Sequence, residues 1–418
     1  MEIKRDKYLR LLNESRHNGM IKIITGVRRC GKSYLLFKLF YDALKYEGID
    51  DSHIIRIDLE DRANMALRDP DALMAHIDAS IADSGMHYVL IDEVQHVSEF
   101  EDVLNSYLKR ANVDVYVTGS NSRFLSTDVI TEFRGRGDEI RVHPLSFAEF
   151  LSVKQEVARD AALMEYITYG GLPQAVLTQN VERKEAYLKH LFAATYLRDV
   201  KERHAIRNDA DLESIVDIMA STIGGLTNPS KLRNTFLSVL NSKISSDTIK
   251  NYLGMLQDAF IIEKAVRYDI KGKKYIDTPC KYYFEDLGLR NARLNFRQLE
   301  ETHLMENLIY NELRIRGMAV DVGQVVVNGK NSEGVSVRKT LEVDFVCNRG
   351  FRRYYIQSAF DLPSNEKMQQ EMESLLRLGD NFKKIIIRWG MSPTYMNDDG
   401  ILIMNIFDFL LKEDSLDM

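Results

Sequence analysis

The chain has 418 residues, of which 45% are hydrophobic and 28% are charged, and its formal net charge is −6. This length exceeds what one hydrophobic core usually serves, so we expect two to four domains. The acidic balance argues against a protein that coats nucleic acid over its whole surface, although it leaves room for a local basic face.

The cysteines and the apolar segments indicate the compartment. Cys30, Cys280 and Cys347 lie far apart and lack the CxxC or Cys/His spacing of a metal site. Such usage is typical of a reducing cytoplasm. No stretch approaches the roughly 20 apolar residues that span a bilayer, and residues 1–6 show no signal-peptide pattern. We therefore expect a cytoplasmic protein without membrane contact.

The first motif follows a predicted amphipathic helix over residues 3–16 and an apolar strand over 21–24. It has the spacing of a P-loop and consists of Gly26, Val27, Arg28, Arg29, Cys30, Gly31, Lys32 and Ser33, with Tyr34 opening the next helix. Its glycines let backbone N–H groups turn around a phosphate chain, and the helix adds the positive end of its dipole. The motif predicts ATP binding, with Lys32 on the β- and γ-phosphates and Ser33 on Mg²⁺. A tight glycine turn without a ligand is the alternative.

A pair of carboxylates ends the next buried strand. After a predicted strand at 53–58 and a helix at 64–84, the strand from His87 runs into Asp92 and Glu93. A carboxylate at the carboxyl end of a parallel strand lies beside a P-loop, so Asp92 is expected to hold a water on Mg²⁺. Glu93 is placed to orient and deprotonate the attacking water. Without the P-loop, the same pair would equally well predict a solvated turn.

A polar sensor is expected after the following strand. A helix is predicted over 99–110, and the buried strand from Val113 ends in small polar residues. In P-loop ATPases with an inserted strand between the first strand and the Walker B strand, this position carries a sensor of the γ-phosphate. We nominate Asn121 first and Ser120 second; capping of a helix near Arg123 is the alternative for both.

These motifs, extended by Gly-Arg and Pro-Leu-Ser-Phe-x-Glu-Phe within residues 133–150, resemble a known family. The similarity is to prokaryotic AAA-like ATPases that carry a C-terminal domain of unknown function, DUF4143. It continues through residues 169–173 and 281–289 and so covers nearly the whole chain. The resemblance implies that Arg136 is an arginine finger or sensor, whose guanidinium neutralises charge on the γ-phosphoryl group. It is compatible with action in cis or, in an oligomer, in trans, and a surface salt bridge is the alternative.

Three segments are predicted after an ATPase core at residues 1–152, and the first two are a helical lid and a winged helix. Residues 153–205 are predicted as a helical lid with a sharp break at 170–173. Residues 206–290 contain three predicted helices and two strands around a basic turn, a pattern typical of a winged helix.

The winged-helix segment is locally basic. Between residues 231 and 281, basic side chains outnumber acidic ones by five. Lys271, Lys273 and Lys274 are therefore the expected contacts to DNA. A module that contacts protein is an equally weighted alternative, because a fold does not fix a function.

Residues 291–418 are predicted to form an α/β domain similar to the PD-(D/E)xK nuclease core. Glu306 on a helix and Asp344 on a strand match that pattern by position. The chemistry needs two or three carboxylates for Mg²⁺ and a lysine for the attacking water. Gln357, Ser358 and Ala359 stand where Glu-x-Lys is expected, so we predict a domain without nuclease activity.

The sequence thus predicts an α/β fold in which a P-loop NTPase sheet of AAA type carries a helical lid, followed by a winged helix and a degenerate nuclease-like domain. The expected function is Mg²⁺-dependent ATP binding and hydrolysis that moves the C-terminal modules, with DNA as a candidate partner. The alternative is a slow nucleotide-dependent switch that binds a protein partner without nucleic acid.

Overall fold

The structure is a computed structural model that describes residues 3–119, 133, 135–154, 157–204, 206, 209–239, 241–330, 336–360 and 365–418. It divides into unit 1, residues 1–144 with 258–260, and unit 2, residues 145–257 with 261–418. Residues 145–152, which we assigned to the ATPase core, lie in unit 2. Leu145 N–H donates a 2.8 Å hydrogen bond to the carbonyl oxygen of Gly171, and Phe147 packs edge-on against Tyr166. The predicted boundaries at 206 and 291 fall inside unit 2 and stay predictions.

A five-stranded parallel sheet forms the centre of unit 1, in the spatial order β2-β3-β4-β1-β5. Its strands are β1 (Ile21–Thr25), β2 (Ile54–Asp58), β3 (His87–Asp92), β4 (Val113–Thr118) and β5 (Gly137–Arg141). β1 and β3 are buried along their whole length, as their continuous apolar character predicts for strands of a parallel sheet. β4 lies between β1 and β3, so the inserted strand predicted from the sequence is present.

The helices of unit 1 are α1 (Asp6–Glu14), α2 (Lys32–Tyr34), α3 (Tyr41–Tyr46), α4 (Pro70–Ser80) and α5 (Phe100–Tyr107). A π-helical segment, Leu35–Phe40, joins α2 to α3. Short 3-10 turns are found at Asp51–His53, Arg62–Arg68 and Val94–His96. The helix predicted over 64–84 is therefore split, because Asp69 caps α4 through a 3.0 Å hydrogen bond from Ala72 N–H and Pro70 fits its first turn.

The apolar core of unit 1 fixes the strand ends that matter for function. Val89 and Ile91 of β3, together with Val117 of β4, pack with Phe100 and Leu104 of α5 in one buried cluster. Removing such side chains from water stabilises the unit by about 1.5–3 kcal/mol each. This core holds the carboxyl ends of β3 and β4 side by side.

Unit 2 begins with helices and continues into a mixed sheet. Its helices are α6 (Phe147–Ser152), α7 (Arg159–Tyr169), α8 (Pro173–Leu177), α9 (Val181–Leu191), α10 (Arg198–Arg203), α11 (Asp209–Ser221), α12 (Pro229–Val239), α13 (Ser246–Asp258), α14 (Leu287–Arg293), α15 (Glu301–Ile315), α16 (Asn365–Leu376) and α17 (Ile406–Leu411). A π-helical segment, Phe192–Leu197, links α9 to α10, and a 3-10 turn lies at Ser415–Asp417. Within the described ranges, every helix is too short or too polar to cross a membrane.

The sheet of unit 2 has eight strands in the order β12-β13-β11-β10-β9-β8-β6-β7. These are β6 (Ile262–Asp269), β7 (Lys274–Phe284), β8 (Ala319–Lys330), β9 (Ser336–Arg349), β10 (Arg352–Ala359), β11 (Lys383–Arg388), β12 (Tyr395–Met396) and β13 (Ile401–Asn405). The hairpin β6–β7, which we predicted as the wing of a separate domain, extends this sheet, because β6 pairs in parallel with β8. The basic turn therefore belongs to the edge of the C-terminal sheet.

Candidate functional site

The P-loop follows β1 and has a backbone that requires glycine. Gly26 has φ 139°, and a Cβ at this position would stand 2.0 Å from the carbonyl oxygen of Val142. That carbonyl is held close because Val142 N–H donates a 2.8 Å hydrogen bond to Thr25. Gly31 also has a positive φ, 102°, immediately before α2. The loop is thus folded back against the segment that follows β5.

Lys32 is held over the loop. Its side chain is buried, and Nζ donates hydrogen bonds to the carbonyl oxygens of Gly26 at 3.0 Å and Val27 at 3.2 Å. These oxygens compensate part of the cost of removing an ammonium group from water. Phosphate oxygens are chemically equivalent acceptors for the same ammonium.

The remaining P-loop residues differ in exposure. Arg29 and Ser33 are exposed, Tyr34 is 43% exposed, and the half-buried Arg28 lies with Nη2 3.6 Å from Glu60 Oε1. Cys30 is buried, with Sγ 3.3 Å from the carbonyl oxygen of Val142. Cys30 therefore packs under the loop, where it contributes to the loop's shape.

Arg5 is a supporting residue that sequence reasoning missed. Its guanidinium donates to the carbonyl oxygens of Cys30 at 3.3 Å and His143 at 2.7 Å. It is only 5% exposed and lies 4.5 Å from the ring of Tyr8, whose hydroxyl accepts from His143 N–H at 3.1 Å. Nothing in the sequence distinguishes it from a solvated arginine ahead of a helix.

Asp92 and Glu93 meet Thr118 at the carboxyl ends of β3 and β4. The hydroxyl of Thr118 donates to Asp92 and accepts a 3.0 Å hydrogen bond from the backbone N–H of Glu93. The hydroxyl of Ser33 also lies beside Asp92, where it favours the ionised carboxylate. The structure thus brings the predicted metal ligands Ser33 and Asp92 together, and it adds Thr118, a polar end to a buried strand that the sequence analysis passed over.

The charge state of Asp92 depends on its burial. Its side chain is 4% exposed, and burial raises its pKa to about 6, although the hydroxyls of Thr118 and Ser33 oppose the shift. The negative charges of Glu93 and Asp58 raise the pKa further. Asp92 is therefore ionised at neutral pH, but its buried charge lowers the stability of the fold. A bound cation would offset this loss of stability.

Glu93 follows Asp92 in a left-handed backbone conformation. It takes a left-handed conformation, with φ 52° and ψ 50°, which an ordinary side chain adopts at some cost. It is 7% exposed, and the amide of Gln95 donates a hydrogen bond to its carboxylate. Asn121 and Ser120, the predicted sensors, lie outside the described residues.

Arg136 lies at the opposite end of the sheet from the P-loop. Its carbonyl oxygen accepts a 2.9 Å hydrogen bond from Ile21 N–H, at the start of β1. The P-loop begins after Thr25, about 13 Å further along the strand at about 3.3 Å per residue. The structure therefore does not bring the exposed Arg136 to the P-loop of its own chain.

The predicted nuclease-like residues form a buried ionic cluster in unit 2. Lys281 Nζ of β7 lies 2.7 Å from Glu306 Oε1 and 2.7 Å from Glu342 Oε1, and Tyr283 donates to Glu306 at 2.6 Å. Burial would lower the pKa of Lys281, but the charges of Glu306, Asp344 and Glu342 outweigh it and raise that pKa. A lysine from another strand thus neutralises these carboxylates.

The segment that replaces Glu-x-Lys also contacts this cluster. Asp344 accepts a 2.8 Å hydrogen bond from Ser358 N–H, and its own N–H donates to Gln357 Oε1 at 3.3 Å. Ala359 is buried. Burial raises the pKa of Asp344 well above its usual range, and the charge of Glu306 adds to the shift.

Beside the basic turn lies a cleft of about 390 Å³. It is lined by Tyr268, Ile270, Lys273, Asn348, Gly350, Phe351, Arg352, Arg353, Asp380 and Phe382. Phe351 is 91% exposed, and the Arg353 guanidinium stands 5.2 Å from the ring of Phe382. Lys273 is thus part of the cleft, while Lys271 and Lys274 are exposed next to it on the turn.

Comparison with known proteins places the chain in a family. Residues 18–151 match an AAA domain family, AAA_14, and residues 160–300 match a domain of unknown function, DUF8612. A protein of Haemophilus influenzae described as uncharacterized is 34% identical over 415 residues, which is 98% of this chain and 99% of that protein. The chain belongs to the same family as this protein, and its residues 18–151 carry an AAA domain. Its expected resemblance to AAA-like ATPases is confirmed, whereas residues 160–300 match DUF8612 where we expected DUF4143.

Two further proteins are similar to this chain. An uncharacterized protein of Methanocaldococcus jannaschii is 30% identical over 361 residues, covering 84% of this chain and 77% of its own length. The solved structure of a Walker-type ATPase of Pyrococcus abyssi superposes with a TM-score of 0.51 at 18% identity, over 70% of this chain and 96% of that one. At this identity the superposition shows the fold, an α/β fold with a parallel sheet.

Proposed function

We propose that this AAA-domain protein binds ATP with Mg²⁺ at the P-loop and hydrolyses it. The observation that carries the proposal is the contact of the buried carboxylate of Asp92 with the hydroxyls of Ser33 and Thr118. It joins the P-loop helix to the two strands that end beside it. A P-loop with a hydroxyl and a carboxylate beside it is suited to bind a phosphate chain together with a cation, whereas a glycine turn alone is not.

The donor set fits Mg²⁺. Ser33 and Asp92 offer the hydroxyl and carboxylate oxygens that this ion takes in nucleotide sites, where it keeps several waters. Ser33 would ligate the ion and Asp92 would hold one of its waters. When bound, Mg²⁺ supplies charge neutralisation on the β- and γ-phosphates.

The chain's own residues then divide the work. Lys32 exchanges the carbonyl oxygens of Gly26 and Val27 for phosphate oxygens, which are stronger acceptors for an ammonium. The carboxylate of Glu93, fixed by Gln95 and by its left-handed backbone, orients the attacking water and accepts its proton.

The test is release of phosphate by purified protein supplied with Mg²⁺ and ATP. Glu93→Gln should lower turnover by about 10² or more while retaining binding of ATP, and Glu99→Gln, an exposed glutamate six residues further on, is the matched control. Equal rates for wild type and Glu93→Gln would overturn hydrolysis by this site. Tight binding with equal, negligible turnover would favour the slow switch that holds a protein partner.

A second function is favoured by the cleft beside the basic turn. Its lining combines three cations, Lys273, Arg352 and Arg353, with the aromatic rings of Tyr268, Phe351 and Phe382. This combination fits single-stranded nucleic acid, whose phosphates pair with the cations and whose bases stack on the rings. In this proposal the hairpin β6–β7 serves as a nucleic-acid contact.

Fluorescence anisotropy with a labelled single-stranded oligonucleotide tests the second function. Phe351→Ala and Lys273→Glu should each weaken binding, whereas Tyr395→Ala, at the far edge of the same sheet, should not. Unchanged affinity in both cleft variants would rule out this contact. The absence of binding by the wild type would favour a protein partner for the hairpin.

A further inference from the structure

Three potential metal ligands converge at the amino ends of β2 and β3. They are His53, directly before β2, Asp83 in the connecting segment, and His87, the first residue of β3. One ligand atom from each lies within 4.8 Å of the other two. The P-loop, Asp92 and Glu93 lie at the carboxyl ends of the strands in this parallel sheet, so the two sites are at opposite edges.

The surroundings of His87 fix which of its ring nitrogens carries the proton. Nδ1 faces the carbonyl oxygen of Gly85 at 2.8 Å, and because a carbonyl can only accept, Nδ1 carries the proton. Nε2 faces the backbone N–H of Ala82 at 3.2 Å, so Nε2 holds the lone pair. A ring N–H donated to a carbonyl is the arrangement that orients metal-binding histidines. A cation would replace the long hydrogen bond from Ala82.

The other two ligands already face each other. His53 Nε2 lies 3.2 Å from Asp83 Oδ1, and its Nδ1 lies 3.3 Å from the hydroxyl of Ser52. When a cation takes the lone pair of Nε2, the ring proton moves to Nδ1, where Ser52 can accept it. The rings of His53 and His87 are 4.7 Å apart, and Asp83 is exposed, so the cluster opens to water.

We propose that His53, Asp83 and His87 bind a divalent transition metal, with Zn²⁺ as the preferred ion. Two imidazoles and one carboxylate leave a fourth position for water in a tetrahedral site. Imidazole ligands favour Zn²⁺ and Co²⁺ over Mg²⁺, which prefers oxygen. The site is therefore separate from the nucleotide site in chemistry as well as in place.

Gly85 offers a steric test that leaves every ligand in the chain. Its φ lies outside the left-handed region, so alanine is compatible with the backbone. The added Cβ would stand 2.9 Å from both Asp83 Oδ1 and His53 Nε2 and would push these ligand atoms aside. Gly85→Ala should therefore disrupt the site without removing a donor.

The experiment is titration of Co²⁺ and Zn²⁺ into protein without a histidine tag, in excess Mg²⁺. We expect one equivalent, with the strong visible absorption of four-coordinate Co²⁺, bleached by Zn²⁺. His53→Ala and Gly85→Ala should weaken binding at least about tenfold, and His76→Ala, an exposed histidine of α4, should not. Binding that survives in both site variants, or no binding by the wild type at micromolar metal, would overturn the proposal. Circular dichroism of each variant confirms that the loss is not one of folding.

Discussion

Thr118 and Asp92 share a hydrogen bond across neighbouring strands, and the same hydroxyl accepts from the N–H of Glu93. One side chain at the end of β4 therefore sets the positions of both acidic residues that end β3. Since all of these groups are buried, an unmet hydrogen bond here costs more than it would at the surface.

Thr118→Val should lower ATP hydrolysis more than ATP binding. Valine keeps the shape of threonine but leaves Asp92 without its donor and Glu93 N–H without its acceptor, at a cost of about 1–3 kcal/mol per group. Thr118→Ser, which retains the hydroxyl, should remain close to wild type. The measurement is the rate of phosphate release with the affinity for ATP determined in parallel; a valine variant of full activity would remove Thr118 from the mechanism.

The buried strands and the acidic pair were predictable because they depend on local patterns. Apolar runs ending in Asp92 and in Thr118 are visible in the sequence. The roles of Thr118 and Arg5 were not, since both depend on partners more than 20 residues away, Asp92 and His143 respectively. Hydrogen bonds between residues so far apart in the chain leave no pattern in the local sequence.

The positions of Arg136 and of the basic hairpin also could not be predicted from local sequence patterns. A Gly-Arg motif says nothing about which end of the sheet its strand begins at, and only the parallel pairing of β5 with β1 places Arg136 beside Ile21. Likewise, a hairpin after three helices predicts a wing, whereas the parallel contact of Asp269 with Gln324 makes it a sheet edge.

Gly26→Ala should abolish nucleotide binding and destabilise unit 1. The new Cβ would stand 2.0 Å from Val142 O, and the backbone at φ 139° is strained for any residue with a side chain. Gly48→Ala provides the control, since its φ is also positive, 86°, but its Cβ would meet nothing within 4 Å. Binding of a fluorescent ATP analogue to both variants checks this; equal affinities would contradict the proposed loop geometry.

Asp92→Asn should become relatively more stable as pH rises, while losing hydrolysis. The folded pKa of Asp92, about 6, lies above its unfolded value of 3.8, so its contribution to stability is full at low pH and is lost as pH rises through 6. The loss is about 3 kcal/mol at neutral pH. Asparagine does not titrate, so the variant should gain most of that amount relative to wild type between pH 4 and pH 7.5.

Urea unfolding without Mg²⁺, followed by far-UV circular dichroism, measures this difference. Fluorescence of Trp389, the single tryptophan and a residue of unit 2, separates the transition of that unit. A stability difference between variant and wild type that is constant with pH would show that Asp92 is not titrating in this range.

Arg136→Ala should leave hydrolysis by an isolated chain unchanged, because the structure puts this residue at the amino end of β5. If Arg136 acts as a finger, it must do so from a second copy. The rate per chain should then rise with protein concentration for the wild type and for Arg110→Ala, but not for Arg136→Ala. If the rate per chain does not change with protein concentration but is lower in Arg136→Ala, Arg136 acts within its own chain, and this placement is contradicted.

Lys281→Met should destabilise unit 2 by about 3–5 kcal/mol, because it leaves the buried carboxylates of Glu306 and Asp344 without their cation. The control is Lys339→Met, whose partner Glu373 lies at 2.9 Å but whose side chain is 59% exposed, so its loss should cost at most about 1 kcal/mol. Trp389 fluorescence during urea unfolding reports both. The penalty for Lys281→Met should shrink at low pH, since protonation neutralises the stranded carboxylates; a small penalty that does not vary with pH would mean that water or rearrangement already screens the cluster.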